Sequence, residues 1–122
     1  MKKRCGIMLA VFGVVLLGFI PLMASFADAE WTVKEYKSMK HTDMFREYIT
    51  GFGRGTYWAN VQLQQTGNSP LYCQPSKLPL SAENYLNILD RYLAENKDKI
   101  KPDAIIEFLL LKGLIDTFPC TK

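Results

Sequence analysis

The sequence predicts an all-α fold, a small bundle of three to four helices stapled by one disulfide. Three observations carry this. Apolar residues recur at three- and four-residue spacings in separate stretches, the periodicity of helices packed on one face. No stretch shows the alternation of a half-buried strand. Beyond the N-terminal segment the chain holds two cysteines, Cys73 and Cys120. At 122 residues the length suits one domain.

Lys2-Lys3-Arg4 forms a positive start, and residues 6–23 then run without a charge, rich in Leu, Val, Ile and Phe. Pro21 breaks the end of the run, and the small residues Ala24, Ser25, Ala27 and Ala29 follow. This is the order of a secretory signal peptide. Residues 1–27 are therefore expected to be removed, with cleavage after Ala27 favoured over Ala29. Residues 28–122 are expected to form a single helical domain. The rival is an uncleaved anchor, because 18 uncharged residues just suffice to span a bilayer. The break and the small-residue sites favour removal. Cys5 precedes the apolar run, the wrong side for a lipid-modified cysteine. The short basic start is of bacterial type, which directs the mature chain to the periplasm.

The chain carries 15 Lys and Arg against 12 Asp and Glu, a net charge of +3. Lys2, Lys3 and Arg4 supply the whole excess, so residues 28–122 are neutral. That argues against a nucleic-acid partner, which needs a lasting basic face. In an oxidising compartment two cysteines pair, so a Cys73–Cys120 disulfide is expected over free thiols or metal ligands. His41 is the only histidine and there is no C-x-x-C motif, so no metal or cofactor is expected. Closing a loop of 47 positions would stabilise by roughly 4 kcal/mol in the chain-entropy model.

Residues 28–40 are mixed and polar, interrupted by Trp31, Val33 and Tyr36, and read as a short helix or an ordered arm. Thr42 or Asp43 can cap the next helix. Met44, Phe45, Tyr48, Ile49 and Phe52 then form its apolar stripe, which continues through Tyr57, Trp58 and Val61 to about Gln65. Gly51, Gly53 and Gly55 each cost about 1 kcal/mol there relative to Ala. Gly51 and Gly55 lie one turn apart, where a second helix could approach closely. A phosphate-cradling loop is disfavoured, because no strand precedes it and no Lys-Ser/Thr follows. Arg54 reads as solvated.

Thr66-Gly67-Asn68-Ser69-Pro70 is a turn signal. Pro70, Pro75 and Pro79 exclude a regular helix over the following stretch, which reads as an extended loop fixed by Cys73. Ser81 caps the next helix, with Glu83 in its first turn. Tyr85, Leu86, Leu89, Tyr92 and Leu93 form its inner stripe, and Asn84, Asn87, Asp90, Arg91 and Glu95 its outer side. Residues 96–99 connect. Pro102 suits the first position of a final helix. The residues from Ile105 to Ile115 are apolar over most of the circumference, which implies central burial or partial burial in an oligomer such as a homodimer. Phe118-Pro119-Cys120 stops it.

Catalysis is not expected. Composition leaves a Ser/His/Asp arrangement open, but no nucleophile motif surrounds Ser38, Ser69, Ser76 or Ser81, and no polar cluster converges. Tyr57-Trp58 stands out, because adjacent aromatics on a helix cannot both face one core. One of them is expected at a partner surface, where aromatics are enriched.

A pattern runs through the second half: Leu71-Tyr72-Cys73-x-Pro75, then a helix ending Arg91-Tyr92-Leu93. A charged connector with Lys101-Pro102-x-Ala104 follows, and a last helix closes in Phe118-Pro119-Cys120. Together with Tyr48-Ile49-Thr50-Gly51 on the preceding helix, it resembles the Rap/Tai family of type VI secretion immunity proteins over roughly residues 44–120. The N-terminal arm lacks an additional cysteine that some members carry. The resemblance implies a periplasmic, non-enzymatic inhibitor whose partner is a peptidoglycan-cleaving amidase effector. The loop from Thr66 to Leu80 is the first expectation for part of the contact surface, with Gln74, Ser76 and Lys77 as its polar members. Its other reading is a structural connector. The alternatives in function are a small periplasmic stress chaperone and an envelope interaction module.

Overall fold

The structure is a computed structural model and describes residues 30–120. The expected signal peptide and its cleavage sites lie outside the described residues. Among the described residues four helices follow one another: α1 (Val33–Met39), α2 (Asp43–Gln65), α3 (Ala82–Glu95) and α4 (Ile106–Thr117). They form a small all-α bundle, stapled by a Cys73–Cys120 disulfide. Among the described residues no helix is long and apolar enough to cross a membrane.

The polar stretch near residue 30 becomes α1 because every N–H of its first turn finds an acceptor. Thr32 and Glu35 form a capping box: Glu35 N–H donates to Thr32 Oγ1 and Thr32 N–H to the Glu35 carboxylate. Those bonds hold Glu35 below the usual carboxylate range. Val33 and Lys34 N–H donate to the carbonyls of Ala104 and Pro102, and Tyr36 N–H to that of Thr32. In return Ile106 N–H, the first of α4, donates to Trp31 O at 2.8 Å. The starts of α1 and α4 thus satisfy each other's free donors. Pro102 accordingly does not open the last helix as the sequence suggests. It lies in the preceding turn and gives its carbonyl to α1, and α4 begins at Ile106.

The N-cap of α2 is Thr42, whose hydroxyl accepts from Phe45 N–H. The helix runs unbroken through its three glycines and ends in a Schellman motif. There Gly67 takes a φ of +74°, and Asn68 N–H reaches back to Leu63 O at 2.8 Å. Phe45 and Ile49 are fully buried, while Met44 and Tyr48 from the same predicted stripe remain exposed. The stripe is wider than the contact α2 makes. Trp31, Tyr36 and Tyr48 surround Phe45 at ring distances of 5.4–6.0 Å or through one another, which fastens the N-terminal arm to α2.

Ser81 caps α3, with Asn84 completing a capping box. α3 packs along both α2 and α4. The close approaches fall at Gly53 and Gly113, not at Gly51 and Gly55, which face open space. A Cβ at Gly113 would stand 2.9 Å from Ile88 Cγ2, so α4 lies against α3 only because that position is bare. α4 is the central element: Ile106, Leu110 and Leu114 are fully buried, and of its large apolar side chains only Phe108 is exposed, on the side of Lys112 and Asp116.

Asp90 keeps its expected place on the outer side of α3, with its side chain 43% exposed, yet it is also a tie. It accepts from Tyr36 Oη at 2.8 Å and pairs with Lys40 Nζ at 3.1 Å, tying α1 to α3. Burial, and then the bond to Asp90, push the Tyr36 phenol well above its ordinary range.

Candidate functional site

The extended loop between α2 and α3 forms one wall of a groove, and the middle of α2 forms the other. Position 60 fixes the loop's near end. The Asn60 side chain is buried and spans two successive loop residues: its Nδ2 donates to Tyr72 O, and its Oδ1 accepts from Leu71 N–H at 2.6 Å. Tyr72 is driven fully inside, and burial raises its phenol pKa. The next residue, Cys73, donates its N–H to Phe118 O at 2.8 Å and bonds covalently to Cys120. Three independent ties therefore hold three consecutive residues, Leu71, Tyr72 and Cys73. The backbone beyond them, from Gln74 to Leu80, starts from a fixed anchor.

The groove holds about 350 Å³. Arg54, Tyr57 and Trp58 line it from α2, and Gln74, Ser76 and Leu78 from the loop. Tyr85 of α3 reaches its floor, and burial raises that phenol's pKa too. Trp58 is 66% exposed and stands edge-on to Tyr57 at 5.4 Å between ring centroids. Leu71 and Leu78 are also exposed. Arg54 takes part in neither of the two side-chain ion pairs found among the described residues, Lys40–Asp90 and Arg46–Glu83. An exposed Trp beside a Tyr, an Arg and apolar loop residues is the composition that dominates binding energy at protein interfaces.

The three polar loop residues singled out in the sequence do different things. Ser76 is exposed and lines the groove. Lys77 is exposed but does not line it. Gln74 is half-buried, and its Nε2 donates to Leu78 O at 2.6 Å, so it closes the loop on itself while contributing to the groove wall. Its Oε1 is buried without a hydrogen-bond partner among the described residues. Asn60 went unnoticed in the sequence. The only signal is an amide one turn after Tyr57 on α2, shortly before a loop whose three prolines keep it out of regular structure.

Among the described residues no three His, Cys, Asp or Glu side chains converge as metal ligands. Comparison of the chain with protein-family models, curated proteins and solved structures finds no match.

Proposed function

We propose that this protein is a periplasmic immunity protein, a stoichiometric binder that inhibits a peptidoglycan-cleaving amidase of a type VI secretion system. It acts by binding and not by catalysis. The observation that carries the reading is the groove between α2 and the 71–80 loop. It joins exposed Trp58, Arg54, which pairs with no acid among the described residues, and a wall held by the disulfide. A surface already fixed before binding loses little conformational entropy when a partner arrives. The Cys73 to Cys120 pattern on which the family resemblance rests is the same one that fixes this wall.

The direct test is titration of the purified protein against an amidase encoded beside its gene, scored by release of peptide from peptidoglycan. The proposal expects inhibition saturating at a fixed molar ratio. No inhibition, together with suppression of acid-induced aggregation of unrelated proteins, would replace it by the stress-chaperone reading.

A further inference from the structure

At the other end of α3 lies a second groove, of about 280 Å³. Its floor is apolar: Val33 from α1, Leu93 from the last turn of α3, and Ile100 from the connector, all half-buried. Its rim is Lys34, Lys37 and Lys97. The same arrangement occurs twice. Val33 and Lys37 are one turn apart on α1, and Leu93 and Lys97 are spaced alike at the end of α3. The methylene stems of the rim lysines can extend the apolar wall while their ammoniums stay at the mouth.

Among the described residues no carboxylate lines this groove. Glu35, the acid next to Lys34, has its carboxylate turned to the N–H and hydroxyl of Thr32. Asp90 is taken by Lys40 and Tyr36. Among the described residues, therefore, three like charges share one mouth with no opposite charge lining it, an arrangement that an anion relieves. Lysine is depleted at protein interfaces, where aromatics and Arg are enriched. This groove holds three lysines and neither an aromatic residue nor an arginine, the reverse of the Trp58 groove.

We infer that this groove is a binding site for a single-chain anionic amphiphile, an alkyl chain seated on Val33, Leu93 and Ile100 with a carboxylate or phosphate head among the three lysines. The site is separate from the proposed amidase-binding surface and does not depend on it.

The test is titration with decanoate, below its micelle concentration, followed by ¹H–¹⁵N NMR of the protein as it accumulates from the full-length gene. Saturable shifts at Val33, Leu93 and Ile100 are expected. They should weaken roughly tenfold or more in Lys34→Gln/Lys37→Gln/Lys97→Gln, a surface variant whose thermal unfolding is checked by circular dichroism. Decyl maltoside, with the same tail and no charge, is expected to leave these residues unshifted. The inference is overturned if decanoate gives no saturable shift, if the lysine variant binds it equally, or if the maltoside binds as well. It is also overturned if a short Glu- and Leu-containing peptide fills the groove while decanoate does not.

Discussion

The ring of Tyr85 occupies the space where a side chain at position 53 would stand: a Cβ built on Gly53 would overlap Tyr85 Cζ. The helix propensity lost at Gly53 is thus offset by a ring that α3 inserts against bare α2 backbone. Gly51 and Gly55 have open space instead. Gly53→Ala is expected to destabilise by about 1–3 kcal/mol through overpacking. Gly51→Ala and Gly55→Ala are expected to stabilise by up to about 1 kcal/mol each, because Ala is the better helix former. Urea unfolding of the three variants measures the opposite signs.

Asn60 makes a second prediction. Asn60→Ala leaves the Leu71 N–H and Tyr72 C=O without partners in a covered place, and should cost about 1–3 kcal/mol. Gln74→Ala should cost less, because Gln74 makes one bond to Leu78 O and its buried Oε1 has no partner among the described residues. Urea midpoints of the two variants give the comparison.

The sequence makes much of this architecture legible, and the reasons are local. Thr42 and Ser81 cap as expected, since capping needs only a short side chain at a helix start. The two cysteines pair, since no other cysteine lies among residues 28–122. What stays hidden depends on partners distant in the chain. Which of three glycines meets a ring is decided by Tyr85, 32 positions after Gly53. Asp90 looks solvated until Tyr36 and Lys40 arrive from α1. Pro102 fits a helix start by its own chemistry, but α1 needs its carbonyl. The groove is half legible: the Tyr57-Trp58 pair and the loop are each visible, but their meeting across one cleft requires the fold.

Removing the staple by Cys73→Ala/Cys120→Ala should cost about 2–5 kcal/mol. The loop's near end should stay in place, because Asn60 and the Cys73 N–H bond to Phe118 O do not involve sulfur. Hydrogen exchange is expected to accelerate from residue 74 onward more than at Leu71. Equal acceleration along the whole loop would contradict the separate role of Asn60.

Alkaline pH should unfold the protein through its buried tyrosines. Burial raises the phenol pKa of Tyr36, Tyr72 and Tyr85 above the ordinary 10.0, and the bond to Asp90 raises that of Tyr36 further. The unfolded chain therefore releases these protons first. Their contribution is complete below pH 10 and is lost as pH rises from there toward the folded values. The urea midpoint is expected to be level to about pH 9 and to fall above it. In Tyr36→Phe the fall should be shallower, from a lower starting stability.

The central claim is that the groove holding Trp58 is the surface that grips an amidase. The most direct measurement is the affinity of Trp58→Ala for that enzyme beside the unmodified protein, by calorimetry, with urea unfolding of both as control. Trp58 is 66% exposed, so the substitution should leave stability within about 0.5 kcal/mol. Binding is predicted to weaken roughly 30-fold or more, the loss expected of a Trp hot spot. Unchanged affinity for the amidase in the folded variant would contradict the account.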